Sequence, residues 1–134
     1  MPDIKKQYGV IPFFKDGDSY RLILVTSRTN KYWIFPKGNV IKGKDKHASA
    51  EQEAFEEAGI TGRIKKSKAY VIDFSQGGQT VRLTLFPMAV ESIATKWPEM
   101  RERKRKIVSP KKAREMMCFD LLKKCLRKWE KDFL

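Results

Sequence analysis

Short apolar runs separated by polar turns open the chain and predict β-strands. Gln7–Phe14 is rich in β-branched and aromatic residues, and Tyr20–Ser27 is almost continuously apolar, as in a strand covered on both faces. The sequence KDGDS between them is typical of a turn and predicts a hairpin. Pro12 lacks a backbone N–H group, which favours an edge or bulge position for the first strand.

The same pattern predicts three more strands downstream. The segment KYWIFPKGN predicts a short strand that ends at Pro36. Arg63–Ser75 and Thr80–Glu91 each combine β-branched and aromatic residues, and the sequence QGGQ between them indicates a hairpin. The basic segment Ala94–Ser109 shows no clear periodicity.

Helical spacing of apolar residues appears in two places. A helix is predicted from Ala50, and Gly59 is expected to end it, because glycine readily adopts the left-handed conformation of a helix C-terminus. Near the C-terminus, Ser109 and Pro110 predict an N-cap and a first helical residue. The apolar stripe that follows favours core packing over a cofactor site: Ala113, Met116, Met117, Leu121, Leu122, Cys125, Leu126, Trp129 and Phe133. The order strands, helix, strands, helix predicts an α/β fold with a mixed β-sheet and a C-terminal helix.

Length and composition limit the classes of protein. A chain of 134 residues with 41% hydrophobic residues predicts one compact domain over residues 1–134. No apolar run approaches the ~20 residues needed to span a bilayer, and the first residues lack a signal-peptide pattern, so we expect a cytoplasmic protein without a membrane partner. The spacing of Cys118 and Cys125 suits neither a disulfide nor a metal site, which predicts two buried, reduced core cysteines.

A net charge of +13 indicates a polyanionic partner. Nucleic acid, an anionic membrane and a small ligand with many phosphates all fit, and so does a solvated basic surface without a partner. Against this excess, the sequence AEQEAFEEAG places four glutamates within ten residues. Like charges three and four residues apart repel on a helix, so the concentration of negative charge calls for an explanation.

The glutamates of this predicted helix share one face. At about 100° per residue, Glu53, Glu56 and Glu57 fall in one sector. The opposite side is apolar and is expected to pack on a sheet; it carries Ala50, Ala54, Phe55 and Ala58. Three carboxylates on one face suit a hard divalent cation such as Mg²⁺, which prefers oxygen ligands. A charged face in solvent is the alternative, although the helix follows a Pro-Lys-Gly-Asn turn, where binding sites are often assembled.

The segment Gly38–Ile60 resembles the Nudix box of nucleoside-diphosphate-X hydrolases. That box reads Gly, five residues, Glu, seven residues, Arg-Glu-apolar-x-Glu-Glu-x-Gly-apolar. The positions that agree are Gly38, Glu53, Ala54, Glu56, Glu57, Gly59 and Ile60. Lys44 and Gln52 replace the first Glu and the Arg of the box, which generally form an ion pair in the family. A substitute pair of Lys44 with Glu51 or Asp45 is one possibility.

Outside the box, the chain is similar to the branch that hydrolyses diphosphoinositol and diadenosine polyphosphates. Trp33 before Pro-x-Gly and Trp97 before an Arg/Lys-rich segment agree with that branch. Ile107 stands where the branch usually has an aromatic residue. The resemblance therefore implies a Nudix-like α/β/α sandwich with a mixed β-sheet and a C-terminal helix over nearly the whole chain.

The resemblance also implies a reaction and its cofactor. Glu53, Glu56 and Glu57 would hold Mg²⁺ (or Mn²⁺), with the alternative that one of them, Glu53 or Glu57, acts instead as the general base toward a water that attacks a phosphoanhydride. His47 is expected at the surface. Tyr32 and Trp33 would stack on a base or line the pocket, with core packing an equal alternative for Trp33.

The substrate would be a small molecule that bears a polyphosphate. Its predicted contacts are Arg28, Lys31, Lys37, Gly38, Arg103, Lys104 and Arg105. Diadenosine polyphosphates and diphosphoinositol polyphosphates are the expected substrates, and capped RNA or nucleoside triphosphates stay open. The alternative is a catalytically weak Nudix-fold module that binds RNA or another polyanion through the basic run RERKRK. For either function we expect a monomer or homodimer.

Overall fold

A computed structural model describes residues 3–134, which form a mixed eight-stranded sheet with three helices. The strands are β1 (Lys5–Asp16), β2 (Ser19–Thr26), β3 (Trp33–Ile34), β4 (Lys37–Asn39), β5 (Ile60–Ile64), β6 (Tyr70–Gln76), β7 (Gln79–Ile93) and β8 (Arg105–Val108). They follow the order β3-β2-β1-β7-β5, with β4 paired to β1, β6 to β7 and β8 to β2. Only β1 and β7 pair in parallel. The predicted mixed α/β fold is confirmed.

The helices cover the sheet and close its core. They are α1 (Lys46–Ala58), α2 (Pro110–Met116) and α3 (Asp120–Phe133). Helix α1 packs on β1, β4 and β5, α2 packs on β2, and α3 packs on β6. In residues 3–134, no helix has both the length and the apolar character that crossing a membrane requires.

The predicted hairpins and caps agree with the structure. β1 and β2 pair antiparallel across the turn between Asp16 and Ser19, and β6 and β7 pair across the glycines of QGGQ. Ser109 caps α2 by accepting a hydrogen bond from the Lys112 backbone at 3.1 Å, and Pro110 is its first helical residue.

Several predicted elements are wrong in extent. Helix α1 begins at Lys46 and not at Ala50, and the short strand predicted to end at Pro36 is β3, which an unpredicted β4 follows. The strand expected over Arg63–Ser75 is two strands, β5 and β6, because the intervening lysines have no apolar surface to bury and form a turn. The aperiodic segment Ala94–Ser109 contains β8, whose burial does not alternate. The C-terminal helix is two helices, because Met117 is extended and buried between them although neither glycine nor proline marks the break.

Pro12 lies in an interior strand whose register with β7 is continuous, so the predicted edge or bulge position is wrong. β1 has β7 on one side, with Pro12 opposite Met88. On the other side the pairing with β4 ends at Gly9 and the pairing with β2 begins at Phe13. Pro12 therefore occupies the short gap between two partner strands, where a missing N–H group removes no ladder bond on that side.

The two cysteines have different environments. Cys125 is buried in the core as predicted, whereas Cys118 is exposed, and both are free thiols. The prediction for Cys118 is wrong because it follows α2 in the break before α3, outside the buried stripe.

Candidate functional site

Helix α1 carries the predicted acidic site, and both its ends are capped. Asp45 accepts a hydrogen bond from the Ala48 backbone at 2.8 Å at the N-terminus. Gly59 ends the helix with φ of 67°, a left-handed conformation that glycine adopts at little cost. The small side chains of Ala50, Ala54 and Ala58 are fully buried and let the helix lie close to the sheet.

The buried face of α1 includes Glu57 and excludes Phe55. Glu57 is 3% exposed, whereas Phe55 is 41% exposed. Phe55 lies about 100° from the middle of the alanine face, and Glu57 lies about 60° from it on the other side. The prediction that Phe55 packs on the sheet is therefore wrong, because the sheet covers the glutamate side of the helix.

Glu57 is the most enclosed acidic side chain of the site. Its Oε1 accepts a hydrogen bond from the Lys37 backbone N–H at 3.2 Å, and its Oε2 lies 3.5 Å from a terminal nitrogen of Arg103. Burial raises the pKa of Glu57 to about 8, although Arg103 and the Lys37 N–H group favour the charged form. The nearby Glu53 carboxyl further raises this pKa. Glu57 can therefore hold a proton near neutral pH.

Glu53 lies in hydrogen-bonding contact with Glu57, one helical turn away. Burial also raises the pKa of Glu53. Gly38 on β4 forms the wall beside this carboxyl, because a Cβ atom at Gly38 would overlap the carboxyl carbon of Glu53. The glycine of the box motif thus leaves the space that the Glu53 side chain occupies.

Glu56 is not in hydrogen-bonding contact with either of these two carboxyls, within the contacts of residues 3–134. Its Oε1 accepts a hydrogen bond from Gln52 Nε2 at 3.3 Å. In the part of the chain that the structure describes, no three His, Cys, Asp or Glu side chains gather closely enough to hold a metal ion. Glu53 and Glu57 do fit one, because two carboxyls held together in a partly buried position need a shared positive charge, supplied either by a proton or by a hard cation.

Arg103 joins the site from the segment before β8. Its Nε donates to Glu99 Oε1 at 2.8 Å and one terminal nitrogen donates to the Thr26 carbonyl at 3.0 Å, so the guanidinium is fixed beside Glu57. Arg28 lies 3.2 Å from the same Glu99 oxygen. Two of the predicted phosphate contacts therefore meet at the site, and both are paired with Glu99.

The other predicted substrate contacts are spread over wider surroundings. Lys37 Nζ donates to Gln7 Oε1 at 3.1 Å, and burial lowers the Lys37 pKa. Lys31 Nζ donates to the Glu102 carbonyl at 2.8 Å. Lys104 is exposed. Arg105 donates to two backbone carbonyls, of Ala58 at 2.7 Å and of Ala94 at 2.9 Å.

Sequence reasoning missed Glu99 as a member of the site. Its carboxylate pairs with Arg103 and Arg28, and its charge raises the pKa of Glu53 after the larger effects of burial and Glu56. Glu99 lies in a segment without periodicity, so nothing in the local sequence distinguishes it from a surface glutamate. The nearby Trp97, which the resemblance singles out, is the sequence feature that draws attention to this segment.

Lys44 and Gln52, which replace the Glu and Arg of the box motif, do not form a substitute for the ion pair of those two residues. Within residues 3–134, Lys44 forms no salt bridge, and Asp45 is engaged as the N-cap. Gln52 instead contacts Glu56. His47 is half-buried with its ring 4.6 Å from that of Phe86, so its predicted surface position is wrong.

A cavity of about 630 Å³ reaches Lys37, although neither Glu53 nor Glu57 lines it. Lys37 lines the cavity while its backbone N–H group contacts Glu57. The walls of the cavity are mostly apolar or neutral, and they include Ile72, Phe74 and Leu122. The exposed Tyr32 and Phe119 also line it, with their rings edge-on at 5.1 Å. Trp33 packs against the core.

Comparisons with known proteins identify relatives and a shared fold. The chain is 28% identical over 144 residues to the mitochondrial Nudix hydrolase 16 of Arabidopsis thaliana, covering 94% of this chain and 75% of that protein. It is 31% identical over 104 residues to Nudix hydrolase 4 of the same plant, covering 72% of this chain and 47% of that protein. The chain thus spans less than half the length of the second relative.

A solved structure extends the likeness to the whole fold. The crystal structure of the C. elegans Ap4A hydrolase superposes with a TM-score of 0.80 at 20% identity, covering 98% of this chain and 100% of that one. No protein-family model matches the chain. Some relatives are named mitochondrial, and the cytoplasmic location of this chain stays a prediction.

Proposed function

The chain belongs to the Nudix hydrolase family, and we propose on this basis that it hydrolyses a phosphoanhydride bond with the help of a divalent metal ion. The observation that carries the proposal is the contact between the partly buried Glu53 and the buried Glu57, next to Lys37, which lines a cavity. Water would attack one phosphorus atom, the anhydride P–O bond would break, and the other phosphate would leave.

Glu53 and Glu57 would hold Mg²⁺ or Mn²⁺, with Glu56 as the third predicted ligand. When bound, such an ion neutralises charge on the phosphates and lowers the pKa of a water. The role of the chain is to place these carboxylates and accept the proton that the water releases. One of the two carboxylates would act as the base for this proton instead of holding the ion, and the more enclosed of them is Glu57. The Lys37 backbone and Arg103 orient its two oxygens.

The cavity favours a substrate with an uncharged planar group. Only Lys37 contributes a positive side chain to its described lining, and Asp120 contributes a negative one. An inositol ring with many phosphates needs cations on several sides. A nucleoside instead finds apolar walls and the aromatic rings of Tyr32 and Phe119. This supports diadenosine polyphosphates over diphosphoinositol polyphosphates, as does the shared fold with an Ap4A hydrolase.

Product analysis across a substrate panel tests this function. The panel holds diadenosine polyphosphates, diphosphoinositol polyphosphates, nucleoside triphosphates and ADP-ribose, each with Mg²⁺ and with Mn²⁺. Glu57→Gln is expected to lower kcat by about 100-fold or more on the best substrate. Glu51→Gln is the matched control, because Glu51 is an exposed glutamate of the same helix. No turnover on any substrate, or equal turnover by Glu57→Gln and wild type, would contradict the proposal.

Binding of RNA or another polyanion is the second candidate, and the surface that favours it is on α3. Lys124, Arg127, Lys128 and Lys131 are exposed on the side opposite the buried residues of this helix; we call them the α3 outer face. Among the described residues, none of the four forms a salt bridge. By contrast, Arg103 and Arg105 of the run RERKRK face inward.

Fluorescence anisotropy with a single-stranded RNA, measured over a range of NaCl concentrations, tests this candidate. If the α3 outer face binds phosphates, Lys124→Glu/Lys128→Glu will weaken binding and flatten its salt dependence. Lys42→Glu/Lys44→Glu, an equal change of charge in an exposed loop, serves as the control. Equal effects of the two variants would argue against a specific binding surface.

A further inference from the structure

The last turn of α1 is fastened to the segment from Ala94 to Arg105, which ends at the first residue of β8. Carbonyl groups at a helix C-terminus have no partner within the helix and usually face water. Here four consecutive carbonyls accept hydrogen bonds from that segment: Glu56 from the Glu99 backbone at 3.0 Å, Glu57 from Trp97 Nε1 at 2.9 Å, Ala58 from Arg105 at 2.7 Å, and Gly59 from the Ala94 backbone at 2.8 Å. We call Ala94, Trp97, Glu99 and Arg105 the clasp.

The side chains of the clasp support each other. The Arg105 guanidinium stacks on the Trp97 ring at 3.9 Å from its centre, and the nitrogen that contacts Ala58 also donates to the Ala94 carbonyl. Gly59 makes room for this packing, since a Cβ atom there would lie 2.8 Å from Trp97 Cβ. Trp97 and Arg105 are thereby held against the carbonyls of Glu57 and Ala58. Side chains distant in sequence thus set the position of the last turn of α1.

We propose that Trp97 and Arg105 are positioning residues that hold the backbone of Glu57, and so aim its carboxyl at Glu53 and at a divalent ion. The proposal rests on the proposed function. The carbonyl of Glu57 is held by Trp97, while its side chain is held by Lys37 and Arg103. Removing a group that orients a metal ligand through a hydrogen bond typically lowers metal affinity by about 10- to 100-fold. Arg105 thus acts on the helix end and not on the phosphates.

Trp97→Phe tests the proposal because it keeps an aromatic face for Arg105 and removes the N–H group that donates to the Glu57 backbone carbonyl. Binding of Mn²⁺ is measured by electron paramagnetic resonance, which needs no turnover. We expect a Kd for Mn²⁺ about tenfold higher than in the wild type. On an active substrate, kcat is expected to fall while KM changes by less than about twofold, since the cavity is untouched. Arg105→Met, which loses both carbonyl contacts, should weaken Mn²⁺ binding at least as much.

Tyr70→Phe is the control for a general loss of stability. It removes the hydrogen bond from Tyr70 to Asp132 at 2.8 Å, which joins β6 to α3 and lies outside the acidic site. We expect this variant to lose stability but keep wild-type Mn²⁺ affinity. Equal Mn²⁺ affinity in Trp97→Phe and wild type, or an equal loss in Tyr70→Phe, would overturn the positioning role.

The same measurements separate this proposal from the proposed function. If wild type binds Mn²⁺ but hydrolyses nothing, and Trp97→Phe binds it more weakly, the positioning role stands and the enzymatic function fails. If wild type hydrolyses a substrate and Trp97→Phe binds Mn²⁺ equally well, the function stands and the positioning role fails. Wild type that binds no Mn²⁺ overturns both.

Discussion

The surroundings of Glu57 and Glu53 change the acid–base properties of these two side chains. Both are glutamates of an ordinary helical repeat, yet burial raises their pKa values, and contact between their carboxyls requires a proton or a cation. Gly38 permits this contact because it has no side chain. At the scale of a residue, the candidate site therefore depends on the lack of a side chain at Gly38 as much as on the two glutamates.

Gly38→Ala is the prediction that belongs to this scale. The added methyl group would displace the Glu53 carboxyl, which is the end of a flexible side chain, so the fold should persist. We expect Mn²⁺ affinity to fall by about tenfold, with the free energy of unfolding changed by less than about 1 kcal/mol. Isothermal titration with Mn²⁺ and urea denaturation measure the two quantities.

Gly62→Ala is the matched control for Gly38→Ala. A Cβ atom at Gly62 would meet the backbone of Ala89 and Val90, which cannot move as a side chain can. This variant should lose about 2 kcal/mol or more of stability, and its folded fraction should bind Mn²⁺ normally. If Gly38→Ala instead unfolds the protein and Gly62→Ala does not, the assignment of Gly38 to the site is wrong.

At the scale of an element, α1 is secured at both ends by different means. The N-terminus uses a local cap, in which Asp45 contacts the Ala48 backbone three residues later. The C-terminus uses the distant clasp, which bonds to carbonyls from Glu56 to Gly59. The first device can be read from the sequence, whereas the second exists only after the chain has folded. Glu53 and Glu57 lie in the C-terminal half of α1, which the clasp holds.

Asp45→Ala tests the local cap. We expect a loss of about 1 kcal/mol in the free energy of unfolding, because the Ala48 N–H group loses its acceptor. Asp45→Asn keeps an acceptor oxygen at the same place and should retain most of the stability. Urea denaturation of the three proteins measures the difference. An equal loss in both variants would show that charge at this position, and not the cap hydrogen bond, stabilises the helix.

At the scale of the whole molecule, the positive excess and the acidic site are separate features. The cations nearest Glu57 are already paired, Arg103 with Glu57 and Glu99, and Arg28 with Glu99. Exposed cations without such partners lie on the α3 outer face. The net charge of +13 therefore does not by itself describe the field that a substrate would meet at the cavity.

Salt should stabilise this protein. Repulsion among the excess positive charges opposes the compact state, and added ions screen it. We expect Tm to rise by about 4 °C between 20 mM and 300 mM NaCl, equivalent to about 1 kcal/mol. Calorimetry measures the rise. In Lys124→Glu/Lys128→Glu the rise should be smaller. A Tm that falls with salt in the wild type would mean that its ion pairs outweigh the repulsion.

The sequence by itself determined the order of most strands and helices, the caps at Gly59 and Ser109, and the match of the acidic helix to a recognisable motif. These features follow from the spacing and chemistry of residues that lie close together in the sequence. Only the tertiary structure decided that Glu57 rather than Phe55 is buried, that Glu99 joins the site, and that Arg105 turns to the helix end. The physical reason is that burial and pairing depend on which distant segment packs against a residue, and no local pattern records that.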